Sequence, residues 1–254
     1  MRILWTFCVY NEIELLPFKI DYIKKNDIDC YVFDNMSTDG SWEWLQKKKI
    51  PSERFDSDGM FNLRLNTKLI AKKIHELKPD WAMFPGCDIF YVHTENKTLR
   101  QVIEQADRNS FGSINSGYKT LTFYYTGIEK PGTDPRLNYM FFDSRKIIHE
   151  QCIAKYCPSL VVIADHFKFK AGKVMRDSNF LFLHYSLRHD SEKRKREQYL
   201  RRKKAWDSGL VPKHWGHHYE KFMKRGNFSY DSNSLSDIRK TKLWETIKSS
   251  VVNG

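Results

Sequence analysis

Three short apolar runs, Arg2 to Val9, Asp29 to Phe33 and Trp81 to Phe84, each stop abruptly at a polar cluster. The clusters are Tyr10-Asn11-Glu12, then Asp34-Asn35-Met36-Ser37-Thr38-Asp39-Gly40, then Pro85-Gly86-Cys87-Asp88. Continuous apolar runs of this length, punctuated by turn residues, are the pattern of strands buried on both faces. Between the first two runs lies a helical pattern with Ile13, Leu16, Ile20 and Ile23 on one face. A strand, a helix and a second strand in this order make a right-handed parallel crossover. After the second cluster Ser41 is placed to cap a helix carrying Trp42, Trp44 and Leu45. Asn62 to Leu77 predicts another helix, with Leu65, Leu69 and Ile74 in its apolar stripe and Lys72-Lys73 on a basic face. The order strand, helix, strand, helix, helix, strand predicts an α/β doubly wound domain.

In such sheets ligands bind outside the carboxyl ends of the strands, which is where Asn11, Asp34, Asp39 and Asp88 fall. Asp88, fixed just past the end of a core strand, is placed to hold a metal or a substrate. Asp is also an ordinary turn residue, so the position alone does not decide between the two roles.

A chain of 254 residues can bury one large core, and an aromatic content of 15% marks it as globular rather than disordered. Five scattered cysteines, Cys8, Cys30, Cys87, Cys152 and Cys157, lack the paired spacing of a structural zinc site and fit a reduced, cytoplasmic setting. The apolar run Ile3 to Tyr10 is too short for an export signal or a membrane span. The net charge of +12 is concentrated: residues 184 to 225 hold 13 Lys and Arg against 5 Asp and Glu. A segment this basic can meet nucleic acid, an anionic membrane surface or a phosphorylated ligand.

The three clusters, with Cys8-Val9 leading the first and Asp80-Trp81 and Ile89-Phe90 flanking the third, resemble the ordered signatures of family 2-type nucleotide-sugar glycosyltransferases of the GT-A fold. Farther on, His184-Tyr185-Ser186-Leu187-Arg188-His189 and the basic helix after it are similar to the His-Tyr...Arg-Ser motif of one branch of that family. The resemblance covers residues 1 to 206. It implies a GT-A-like mixed sheet flanked by helices over residues 1–187, with a basic helical C-terminal extension over 188–254 packed on the same domain. It also implies inverting transfer of a sugar from a nucleoside diphosphate to a hydroxyl of a glycan or related acceptor. Tyr10, Asn11, Glu12, Asp34, Asn35 and Ser37 would then line the nucleotide pocket, with Asp34 a candidate acceptor for base or ribose donors. Asp88 and His184 would hold Mn²⁺ or Mg²⁺, and Arg188 would meet the diphosphate. One departure stands out: the family's Asp-x-Asp has Gly86 in its first position here. A site short of one carboxylate binds its ion more weakly or leans on ligand phosphates and water.

Between the motifs, Phe111 to Tyr125 suggests strands and Gly127 to Asn138 a polar, lid-like loop. Arg145 to Cys157 suggests a strand end and a helix, and Leu160 to Ala164 a strand delivering Asp165-His166. An inverting transferase needs a base for the acceptor proton, and Asp165 is the candidate, with His166 and Asp134 in reserve. Glu192 to Trp206 is a helix whose many Lys and Arg read first as a solvated face, with a narrow seam of Tyr199, Leu200 and Trp206. His214, His217 and His218 lack the carboxylate or cysteine company of a zinc site, and the chain ends in a polar connector and a short helix. The expectation is a soluble or peripherally membrane-associated enzyme. The rival reading is an inactivated transferase fold that binds nucleic acid or an anionic surface, although no nucleic-acid recognition motif accompanies the charge.

Overall fold

The computed structural model describes residues 1–116, 120–130, 132–145, 153–163, 166–168, 172–187, 192–210, 223 and 232–253. It is a mixed α/β structure, as the order of apolar runs predicts. Strand β1 (Ile3–Val9) is buried along almost its whole length, which suits the centre of a sheet covered on both faces. It is followed by α1 (Leu16–Lys25), β2 (Asp29–Asp34), α2 (Ser41–Lys47), β3 (Ser52–Arg54), α3 (Leu63–Leu77) and β4 (Trp81–Met83). β1 pairs in parallel with both β2 and β4, and β2 with β3. The chain thus winds from β1 outward to β3, then crosses back to place β4 on the other side of β1. That reversal is the topological switch point.

Local chemistry explains most element ends. Asn62 caps α3 by accepting the Leu65 N–H at 3.0 Å. Ser41 is not the cap of α2. Gly40 occupies that place with φ +94°, a left-handed conformation that suits a residue without Cβ, while the Ser41 hydroxyl donates to Asp39 at 2.6 Å. Helix α1 starts at Leu16 rather than Ile13, because the Ile13 N–H is held in the preceding loop by Asp39 at 3.0 Å. Strand β3, three residues long and mostly exposed, escaped the apolar pattern altogether.

The remaining strands complete two mixed sheets. The first runs β12-β6-β9-β4-β1-β2-β3 and the second runs β14-β8-β7-β13-β5, with β10 and β11 forming a separate hairpin. Here β5 is Ile89–His93, β6 Phe111–Ser116, β7 Thr120–Tyr124, β8 Phe141–Arg145 and β9 Ile153–Lys155. Strand β10 is Val161–Ile163, β11 His166–Lys168, β12 Lys173–Asp177, β13 Phe180–Leu187 and β14 Ser236–Asp237. Helix α4 (Leu99–Arg108) precedes β6, and a short α5 (Pro135–Asn138) precedes β8. Helix α6 (Glu192–Asp207) follows β13, and α7 (Leu243–Asn253) ends the chain. No helix among the described residues is long and apolar enough to cross a membrane.

Two expectations need correction. The described part of 145–157 after β8 is a strand, not a helix: β9 fills the gap between β4 and β6, antiparallel to both, with Ile153 and Ala154 fully buried. The described residues of 127–138 are pinned rather than lid-like. The Glu129 carboxylate accepts the N–H groups of Thr126, Gly127 and Ile128, and the buried Arg136 is tied to Asp134 at 2.9 Å and to the Ser250 carbonyl at 2.9 Å.

One core forms around Trp5, Phe7, Trp81 and Phe90, with Tyr91, Phe123, Phe182 and Tyr185. Leu183, fully buried, is paired with Phe90 on one side and Leu121 on the other, one residue before His184. Leu183→Ala is expected to lower stability by about 2–5 kcal/mol, read as the shift in the urea unfolding midpoint. A loss below 1 kcal/mol would mean this ladder is not part of the core.

Candidate nucleotide and metal site

The carboxyl ends of β1, β2, β3 and β4 share one edge of the sheet, and their loops are bonded to one another. Asn11, just after β1, takes a left-handed φ of +54°, a conformation Asn tolerates. Its N–H donates to the Ser37 hydroxyl at 2.9 Å, and its side-chain oxygen accepts the Thr38 N–H at 2.8 Å. Glu12 N–H donates to the Ser41 hydroxyl at 3.0 Å. Asn35 exchanges hydrogen bonds with Ser57, donating at 2.9 Å and accepting the Ser57 N–H at 3.2 Å. The side chains of Asn11, Asn35 and Ser37 therefore join the loops that frame the edge.

Asp34 ends β2, beside Val9 of β1, and is fully buried. Its Oδ2 accepts the Ser37 N–H at 3.1 Å and the Arg54 Nε–H at 3.1 Å, while Arg54 also donates to the Ser37 carbonyl at 2.7 Å. Its Oδ1 is buried without a hydrogen-bond partner. A buried carboxylate oxygen left open is costly, and it is the kind of group a ligand N–H or O–H satisfies. Arg54 was missed in the sequence because it lies on the three-residue β3, which carries no apolar signal.

The other half of the site follows β4. The turn is held from below by the Trp5 indole, which donates to the Pro85 carbonyl at 2.9 Å, and by the Ile89 N–H on Gly86 at 3.3 Å. Asp88 is clamped to β13, since the Tyr185 N–H donates to its carbonyl at 2.8 Å and His184 is in register with Ile89. The result is Asp88 Oδ2 at 3.4 Å from His184 Nε2, both side chains about a quarter exposed. Two side chains more than 90 residues apart, singled out separately in the sequence, thus meet. A Cβ at Gly86 would lie 2.8 Å from Asp88 Oδ1, so position 86 has no room for a second carboxylate while Asp88 points as it does.

Beneath this turn the fully buried Lys19 of α1 lies 3.5 Å over the Trp5 ring and donates to the Ile89 carbonyl. Burial pushes its pKa well below the ordinary lysine value, with Cys87 and Asp88 opposing the shift and Arg136 adding to it. Lys19 falls on the Leu16, Ile20, Ile23 face, so its burial was readable from helical spacing.

Among the described residues no group of three His, Cys, Asp or Glu side chains could hold a metal by itself. Asp88 and His184 fit an ion held jointly with ligand oxygens and water, the usual arrangement for Mg²⁺ beside phosphates. Asp165 and Arg188 lie outside the described residues, as do His214, His217, His218 and Cys152. The backbone of His166 is on β11, in the hairpin with β10, whose flank Leu160 and Val162 pack with Ile70 and Ile74 of α3. Asp134, the reserve base, is occupied by Arg136 and caps α5 through the Arg136 N–H.

No protein-family model matches the chain, and no curated protein sequence does. Among solved structures, S. aureus TarS 1-349 in complex with UDP is similar at 12% identity and a TM-score of 0.36, over 61% of this chain and 47% of that one. S. aureus TarS is similar at 13% identity and a TM-score of 0.43, over 79% of this chain and 39% of that one. A197 from STIV is similar at 12% identity and a TM-score of 0.34, over 73% of this chain and 86% of that one. This chain therefore spans less than half the length of those two TarS structures. Likenesses of this size say nothing of activity, which is argued below from the chain's own geometry.

Arg54→Met would leave the Asp34 carboxylate buried without its cation. The expected cost is about 3 kcal/mol in chemical denaturation, with Arg54→Lys recovering part of it. An unchanged midpoint for Arg54→Met would mean that Asp34 does not depend on this partner.

Proposed function

We propose that the chain is a glycosyltransferase that takes a sugar from a nucleoside diphosphate and passes it to a hydroxyl of a glycan or related acceptor. The observation that carries this reading is the pairing, along one sheet edge, of the open buried acceptor Asp34 Oδ1 with the Asp88–His184 pair across the switch point. A nucleoside diphosphate offers N–H and O–H donors at one end and phosphates at the other, and the edge offers an acceptor and an ion-binding pair in matching order. Asp34 holds the base or ribose, and Tyr10 and Glu12 flank it. Asp88 and His184 would hold Mg²⁺ or Mn²⁺ against the diphosphate, where the ion neutralises charge growing on the leaving phosphate. Arg188 is assigned to the same phosphates.

The proton of the attacking hydroxyl is assigned to Asp165, with His166 beside it. Inversion at the sugar carbon is what the resemblance in motif order implies. The rival reading, a basic surface for nucleic acid, loses ground on α6. Three of that helix's cations are used inside the molecule: Arg201 on Tyr10, Arg202 on Phe61 and Lys204 on the Asp58 carbonyl.

Thermal unfolding with a panel of nucleoside diphosphates and their sugars, UDP and UDP-GlcNAc first, with and without Mn²⁺, tests the donor site. Ligand at 100-fold its Kd should raise the midpoint by about 5–10 °C. Asp34→Ala should abolish the rise, and Asp88→Ala only its metal-dependent part. No rise with any member of the panel sinks the proposal. For the base, Asp165→Asn should retain donor binding and lose transfer by about 10² to 10⁴; near-normal turnover removes Asp165 from the mechanism.

A further inference from the structure

Helix α6 lies across the ends of β1 to β3. Its successive contacts are Glu197 with the Asn11 amide at 3.5 Å, Arg201 with Tyr10 and Met60, and Lys204 with the Asp58 carbonyl. The Phe61 N–H also donates to the Arg201 carbonyl at 3.3 Å. Most of the cleft edge that a nucleoside would use is therefore roofed by residues far away in the chain.

Arg201 is the part of that roof that ordinary packing does not explain. The side chain is only 7% exposed, and its guanidinium carbon lies 3.4 Å above the centroid of the Tyr10 ring, in stacking contact. Nη2 donates to the Met60 carbonyl at 3.0 Å, whereas Nε is buried with no acceptor. Burial pushes the pKa down to about 10, with Arg202 adding and with Tyr10 and Glu197 opposing, so the group stays charged at neutral pH. A buried guanidinium N–H without an acceptor is costly. Its counterpart is Asp34 Oδ1, an acceptor without a donor. Hydrogen bonds run from the other oxygen of Asp34 through Ser37 and Asn11 to Glu197, one helical turn before Arg201 on α6. Tyr10, half-buried at the strand end, is an aromatic surface on which a base can stack, and the guanidinium covers it.

We propose that Arg201 is a nucleotide-contact residue: the base of a nucleoside diphosphate takes the Tyr10 ring face, and the displaced guanidinium closes on the ligand's phosphates. This rests on the nucleotide reading above and adds a residue to it. A guanidinium suits both positions, since it stacks flat on an aromatic ring and offers a planar fork of donors to phosphate oxygens. In the structure the same group covers Tyr10 and ties α6 to the Met60 carbonyl.

The test is calorimetric titration of the wild-type chain, Arg201→Met and Arg201→Lys, in Mg²⁺, with nucleoside and nucleoside diphosphate pairs: uridine and UDP first, then guanosine and GDP, thymidine and dTDP, adenosine and ADP. The wild type should bind one diphosphate more tightly than its nucleoside. In Arg201→Met the diphosphate should weaken by about 10- to 100-fold while the nucleoside holds or tightens, because its competitor for Tyr10 is gone. Arg201→Lys should keep part of the preference, since charge remains without the planar fork. If in Arg201→Met both ligands weaken in parallel, or the diphosphate binds as tightly as in the wild type, Arg201 is a packing residue and the inference is overturned while the nucleotide reading stands; if the wild type shows no preference for the diphosphate, the assignment of the phosphates to Asp88 and His184 falls with it. If the wild type binds no member of any pair, both are overturned together.

Discussion

A carboxylate that no water reaches must be held by donors inside the protein, and Asp34 is held by two on one oxygen only. Arg54 and the Ser37 N–H share Oδ2, and this asymmetry leaves Oδ1 open. The same contacts fix the loop after β2, since Arg54 also binds the Ser37 carbonyl and Ser37 in turn fixes Asn11. The mouth of the site is thus built outward from one ion pair whose acid is buried and whose cation is partly exposed, and its contacts tie the surrounding loops together. A pair of this kind contributes little net stability, but losing Arg54 strands the buried acid. Geometry rather than stability is what it supplies.

The second half of the site depends on a different device. Asp88 is on the turn joining β4 of one sheet to β5 of the other, and His184 is on β13, in register with β5. The separation of the two side chains is therefore set by a β-ladder and by Leu183 packing beneath it. Lys19 adds support from the core side through the Ile89 carbonyl. Groups positioned by strands and core packing hold their places better than groups on free loops.

The parallel core strands, their order and their polar ends were legible because buried parallel strands are continuous apolar runs and turn residues punctuate them. Asp34 and Asp88 were legible for the same reason, each being polar at the end of such a run, and His184 was legible through its motif. What escaped had no such signal. Strand β3 is exposed and three residues long, so Arg54 had no context. Strand β9 lies after residues whose composition suits a helix, and only the vacancy between β4 and β6 makes it a strand. The basic helix was placed to within a residue, but its charge masked the inward face on which Arg201 lies. Gly127 to Asn138 looked loose because it is polar and contains Gly and Pro, yet its charged residues Glu129, Asp134 and Arg136 are what pin it.

Gly86 has a role that its lack of a side chain conceals. A single carbon added there would come within 2.8 Å of Asp88 Oδ1, with no other neighbour inside 4 Å except the same carboxyl group. The glycine thus acts as the bearing on which Asp88 is aimed. A side chain introduced at 86 requires Oδ1 of that carboxylate to move before it adds chemistry of its own. Recovering a two-carboxylate motif in this loop is therefore a matter of re-aiming one acid as well as adding another.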